Sequence, residues 1–426
     1  MWQSILFYFV SISLSSLLIF CGRKFKRGGL FTVLGLLLLI FIGAIRFGIG
    51  ADYKNYLVIY QHFAIGGFPG DMYLLSIEPV FQWLAQISYI ISGTPILYFA
   101  IPWALTVILS FVGLRKIGAS LSHKRFAIAW TAITLLLIMF GFDQIRQTLA
   151  IAVFFSSFKY IVDKKLVKYL ALTIFATMCH TSAIIIMLPA YFLVQTLLRA
   201  RSGDIGRKGK QIVRIGAAGA VLFIFALDFF RDILLSINVK YITEAYRLLD
   251  GDGGDGKAKL FGIISFGVEE LVVLALFAVA FISMRRANHQ AEKDKALNTL
   301  FLLVSLGFAL SFLSLFITFG GRLAQYFILF IPVAIAMCNI SSRYARGWFL
   351  SVSLFILMVV TGWHGVFPYH SIFEPNADID AIRNQKSPYI TLLCDTGIKK
   401  DCSAFEITKE IDIGGGTLWS PQEVRP

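Results

Sequence analysis

Charge is what this 426-residue chain has least of. Only 15% of its residues are Asp, Glu, Lys or Arg, while 57% are hydrophobic; a soluble domain carries roughly 25% charged residues. That shortage excludes an ordinary soluble globular protein, and no separate soluble domain stands out apart from the tail after residue 364. The short alternating segments of a transmembrane β-barrel are also missing. What is present is a series of apolar runs near bilayer-spanning length, the pattern of an all-α, polytopic transmembrane helix bundle.

Cysteine is scarce too. The five cysteines show no metal-ligand spacing, and Cys21, Cys179 and Cys338 lie in or beside apolar runs, where cysteine behaves as a small buried hydrophobe. Cys394 and Cys402 fall in the tail, where a disulfide needs an oxidising compartment. DxD and HExxH motifs are lacking, so the sequence points to no metal and no cofactor. No Lys or Arg precedes the first apolar run, which argues for a retained first helix rather than a cleaved signal peptide. No internal repeat is evident.

Acidic residues number 25 against 39 basic ones, a formal net charge of +14. In a soluble protein this excess suggests nucleic acid. Here the basic residues gather in short loops between apolar runs, as cytoplasmic loops do, so no nucleic-acid partner is expected. These loops fix an orientation. Arg23, Lys24, Lys26 and Arg27 place the first loop in the cytoplasm. The run 30–45 then crosses outward, leaving 46–78 outside. Arg115, Lys116, Lys124 and Arg125 return to the cytoplasm, so an odd number of crossings lies between. Run 79–92 is short and broken from 95–113 by Ser92-Gly93-Thr94-Pro95. It is therefore expected to be re-entrant or interfacial, with 95–113 spanning.

Run 126–141 goes out and 145–162 comes back. The stretch 166–198 lies between two cytoplasmic clusters and must contain an even number of crossings. Its polar break, Cys179-His180-Thr181-Ser182, marks the outer apex of a helical hairpin. Continuing with runs 212–228, 261–284, 297–318, 323–341 and 347–364 gives about twelve crossings and both termini outside. Residues 1–375 form the membrane domain, and 376–426 a periplasmic tail.

Ionisable groups are costly in such a chain, so those beside the spans are functional candidates by default. All the mixed clusters fall on the outer side: Arg46 and Asp52 in IRFGIGADYKNY, Glu78 before Pro79, Asp143 and Arg146 in FDQIRQTLAIAVFF, His180, and Arg322 in FGGRLAQYF. Arg46, Arg146 and Arg322 suit an anionic group presented at the membrane surface, a lipid diphosphate above all. Each also has a bland reading. Arg46 and Arg322 serve as interfacial anchors, and Asp143 pairs with Arg146 one turn away. Arg322 sits at a predicted helix start, with Tyr326 one turn along the same face. Asp52 lies among Tyr53, Tyr56 and Tyr60, a setting that suits sugar binding. His180 is a candidate base near neutral pH; Glu78 is either a third candidate or a plain helix-start carboxylate.

The segments IRFGIGADYKNY, EPVFQWL, DQIRQTLAIAVFF, CHTSAIIIMLPAYF, GGRLAQYF and FPYHSIF, in this order from about residue 40 to 375, resemble the EpsG family of Wzy-like polysaccharide polymerases. The resemblance implies a bacterial inner-membrane glycosyltransferase that joins repeat units carried on undecaprenyl diphosphate at the periplasmic face. A flippase and a chain-length regulator are the partners it implies beside the membrane lipid. Arg46, Asp52, Tyr53, Arg146, Gln147, His180, Arg322 and Tyr326 fall on the family's motif positions. The reading that follows assigns the diphosphate to Arg46, Arg146 and Arg322, with Gln147, Tyr53, Tyr56 and Tyr326 as further substrate contacts. Asp52 or His180, and after them Glu78, would activate the acceptor hydroxyl. A glycan ligase on a similar scaffold and a transporter of lipid-linked oligosaccharide are the alternatives. A transporter would place polar groups near the midplane, whereas here they collect at one surface.

Overall fold

The computed structural model describes residues 2–44, 56, 59–60, 62–64, 77–201, 273–282, 284, 295–314 and 318–337, together with two short strands in the tail. The expected Arg46, Asp52 and Tyr53, the run 212–228, the run 347–364 and both tail cysteines lie outside the described residues. The described part is helical: α1 (Trp2–Lys24), α2 (Gly29–Ala44), α3 (Pro79–Ser92), α4 (Ile96–Ile117), α5 (His123–Gly141), α6 (Ile145–Ser156), α7 (Phe158–Val162), α8 (Leu166–Cys179) and α9 (Ser182–Arg201). It continues with α10 (Val273–Ile282), α11 (Lys295–Ser314), α12 (Thr318–Ala324), a 3-10 turn (Gln325–Phe327) and α13 (Phe330–Met337). In the tail, Asp412–Ile413 pairs antiparallel with Gly416–Thr417.

Five of these helices, α1, α4, α5, α9 and α11, have spans long and apolar enough to cross a membrane, and several shorter apolar helices accompany them. The chain is an all-α, polytopic membrane protein. Its core sits on α6. Of residues 145–156, Arg146 alone is not fully buried, so the helix is enclosed all round by its neighbours.

Small residues let the helices approach. Ser15 Oγ donates to the Gly35 carbonyl at 2.9 Å between α1 and α2. A side chain at Gly35 would press on that same Ser15 backbone. Trp103 of α4 donates its indole N–H to the Leu39 carbonyl at 2.7 Å, and a Cβ at Gly43 would collide with the indole ring. Close backbone approach of this kind substitutes for the hydrophobic drive that lipid does not supply.

Helix α3 covers the short run 79–92. Pro79 occupies its first turn, where a missing N–H costs nothing. Gly93 ends it in the left-handed conformation at φ 62°, with its N–H on the Tyr89 carbonyl. Its 14 residues reach roughly 21 Å, short of the roughly 30 Å hydrocarbon core. Val80, Phe81, Leu84 and Ala85 pack inward, while Trp83, Ile87, Ile90 and Ile91 stay exposed on the other face.

The bundle has two chemically different ends. At one, the Arg23 guanidinium stacks 3.9 Å over the Phe126 ring, Lys116 Nζ donates to the Ser156 carbonyl at 3.2 Å, and Arg115, Lys116 and Lys159 line a common cleft. These are the loops that the sequence assigns to the cytoplasm. Ser156 closes α6 at this end; Arg146 opens it at the other.

Candidate active site

Four helix ends meet around Arg146: the N-terminal ends of α3, α6 and α9 and the C-terminal end of α8. Glu78 sits immediately before α3 with extended backbone (φ −65°, ψ 142°) and gives no side-chain hydrogen bond to its own helix. Its carboxylate bonds instead to residues of other elements. Its Oε2 accepts from Arg146 Nη1 at 2.5 Å. Its Oε1 faces His180 Nδ1 at 3.0 Å and accepts from the Thr181 backbone N–H at 3.2 Å. The Glu78 side chain is only 2% exposed, against 12% for Arg146 and 13% for His180.

His180 owes its position to a break in the helix. α8 ends at Cys179, and His180 adopts extended backbone (φ −159°, ψ 119°) while its N–H still bonds the Ala176 carbonyl. α9 resumes at Ser182. The polar break expected at 179–182 is thus the turn between α8 and α9, and it directs the imidazole onto Glu78. The two helices are tied further along by Tyr169, whose hydroxyl donates to the Met187 carbonyl at 2.7 Å.

Glu78 lies outside the spanning helices, and its carboxyl is held at about 2, well below the usual carboxylate range. Burial pushes it up, but the hydrogen bond from His180 and the charge of Arg146 outweigh burial. A buried carboxylate that stays ionised needs such partners. The Arg146 guanidinium also lies 5.7 Å from the Tyr56 ring centroid, and Tyr56 is buried against Phe81 and Phe99.

Gln147 faces the other way. Its Nε2 donates to the Arg322 carbonyl at 2.7 Å and to Gln325 Oε1 at 3.2 Å. Tyr326 is fully buried, and its hydroxyl lies 2.9 Å from Ser182 Oγ. Gln147 Nε2 and the Tyr326 hydroxyl are therefore engaged within the protein. They hold the turn after α12 against α6 and α9. Arg322 itself is exposed.

One local expectation needs correction. Arg322 lies in the last turn of α12, not at a helix start. The 3-10 turn from Gln325 then breaks the regular i, i+4 register, so Arg322 is exposed while Tyr326 is buried. Sequence reasoning also passed over Thr181, Ser182 and Gln325, although all three lie inside quoted motifs. Nothing in their residue type marks a hydroxyl or amide that serves a distant helix. Among the described residues, no three side chains of His, Cys, Asp or Glu gather as a metal site.

The EpsG family model matches residues 29–373, most of the chain and every element of this cluster. The chain belongs to the EpsG family. Among curated proteins it is similar to the EPS I polysaccharide export inner membrane protein EpsF of Ralstonia nicotianae, at 25% identity over 195 residues. That alignment covers 42% of this chain and 46% of the relative, so the chain matches about half the relative's length. No solved structure matches the chain. The family and the relative place this EpsG-family protein among membrane proteins of exopolysaccharide processes.

Proposed function

We propose that this EpsG-family protein is a membrane glycosyltransferase of the Wzy type. It polymerises undecaprenyl-diphosphate-linked repeat units at the periplasmic face in exopolysaccharide or O-antigen synthesis. The observation that carries the reading is the part-buried Arg146–Glu78–His180 cluster, set at the end of the bundle away from the basic loops. By the positive-inside rule the basic end is cytoplasmic, which leaves the cluster on the side where lipid-linked repeat units are joined.

The cluster combines the two groups that the chemistry needs. Arginine binds a diphosphate by charge-assisted hydrogen bonds and stabilises it as it leaves. Arg146 and the exposed Arg322 take this role, with Arg46 from the preceding segment. His180, or Asp52, accepts the proton of the attacking hydroxyl. Tyr56 backs the Arg146 guanidinium, Gln147 and Tyr326 support the turn that carries Arg322, and Tyr53 contributes to the sugar contacts. A flippase delivering the substrate and a chain-length regulator are the partners of such an enzyme. The word export in the relative's name favours a transport reading, but the ionisable groups gathered at one end, rather than at the midplane, favour transfer chemistry.

The test is direct. Purified protein incubated with a lipid-linked repeat unit, with and without chelator, is expected to give a ladder of longer glycans on lipid. Substrate returned unchanged by folded protein, with flipping of the same lipid in vesicles, overturns the polymerase reading in favour of transport.

A further inference from the structure

We infer that Glu78 is a positioning residue for His180, and that His180 Nε2 is the atom that takes the proton from the acceptor hydroxyl. This assignment rests on the polymerase reading and decides between the bases left open above. Glu78 has the wrong surroundings for a base: both its oxygens are committed, Oε2 to Arg146 and Oε1 to His180 and the Thr181 N–H. It is also the most deeply buried of the three side chains.

The same contacts fix the histidine. An ionised carboxylate carries no proton to give, so in the His180–Glu78 bond the donor is Nδ1–H. The neutral ring then holds its lone pair on Nε2. Nε2 has no hydrogen-bond partner among the described residues, and the ring keeps more exposure than the carboxylate behind it. The helix break at His180 and the Thr181 N–H bond to the same oxygen hold this stretch of backbone against Glu78. A carboxylate that fixes the tautomer and faces the ring's second nitrogen outward is the arrangement of a general base with an orienting group.

The step balances without any further reagent. The acceptor hydroxyl proton passes to His180 Nε2, and the acceptor oxygen bonds the anomeric carbon of the donor sugar. The bond from that carbon to the diphosphate oxygen breaks, and its electron pair departs on undecaprenyl diphosphate. The nearby cations, Arg146 first, face that departing charge. The proton on Nε2 is then lost to water or to the leaving diphosphate.

The test uses the full chain in detergent with a lipid-linked repeat unit. In His180→Asn the side-chain amide N–H can replace Nδ1–H toward Glu78, but no atom occupies the position of Nε2. This variant is expected to keep the wild-type elution profile and melting midpoint while kcat falls at least about 100-fold, the scale of general-base catalysis. Glu78→Gln is expected to lower kcat about tenfold or more with KM for the donor no higher. Placed on His180→Asn it should cost less than about twofold more, because residues acting as one unit are not additive. A His180→Asn enzyme within about threefold of wild type overturns the inference. So does an undiminished Glu78→Gln loss in the double variant. If Glu78→Gln does not fold, His180→Asn decides alone. Wild-type protein that makes no polymer counts against the polymerase reading itself, whereas active wild type with active His180→Asn removes only this assignment.

Discussion

At the scale of the residue, Glu78 concentrates the energetics of the site. Removing one partner of a buried ion pair typically costs about 3–5 kcal/mol, because the other charge is left in a dry setting. The depressed carboxyl also makes a statement about pH. A group with a lower pKa in the folded state contributes stability above its unfolded value and loses that contribution as pH falls through the folded one. For Glu78 the window runs from about 4.5 down to about 2, and the contribution is on the order of 3 kcal/mol. The melting temperature of the purified protein is expected to hold from pH 5 to 8, as far as Glu78 is concerned, and to fall below pH 4.5. Glu78→Gln should start lower at neutral pH and show a smaller acid drop. Equal acid drops in both proteins would mean that Glu78 is not the ionised centre of the cluster. Asp143 lies three residues from Arg146 in the chain; the carboxylate that packing brings to Arg146 Nη1 is Glu78, 68 residues away.

At the scale of the element, what matters is how helix ends are held. α6 carries Arg146 on one side and Gln147 on the next, and Gln147 ties α6 to the Arg322 carbonyl. Gln147→Leu is expected to cost about 1 kcal/mol of stability, the net worth of a typical hydrogen bond. It should also raise KM for the lipid-linked donor severalfold, through the displaced Arg322, with kcat changing less. Melting curves and steady-state kinetics separate the two effects; an unchanged KM would show that the turn holds its place without Gln147. The elements themselves were largely legible. Pro79 and Gly93 bracket α3, and the 179–182 break divides α8 from α9, because caps and breaks are short-range features written in adjacent residues. The α12 turn was not legible, since a 3-10 segment and an α-helical one share the same apolar residues until tertiary contacts choose between them.

At the scale of the whole molecule, the decisive property is polarity along the bundle. Lys116 meets the Ser156 carbonyl at one end of α6, and Glu78 meets Arg146 at the other. If the basic end faces the cytoplasm, reporters fused within the 119–122 loop report cytoplasm. Fusions at 181, and after residue 370, report the opposite side. A cytoplasm-only reporter that is active after residue 370 would reverse the parity of the count and separate the cluster from periplasmic chemistry.

The sequence by itself determined that the chain lives in a membrane, roughly where its helices begin and end, and that Arg146, His180, Glu78 and Arg322 stand at helix ends. Each of these follows from hydropathy, loop charge or capping, and all of them act over a few residues. Only the tertiary structure decided that Glu78 lies between Arg146 and His180, which is 102 residues away, and that Gln147 and Tyr326 turn inward. Which carboxylate meets which cation depends on the crossing of helices that share no local sequence. In a low-dielectric interior that choice is settled by the one packing that leaves no buried charge alone.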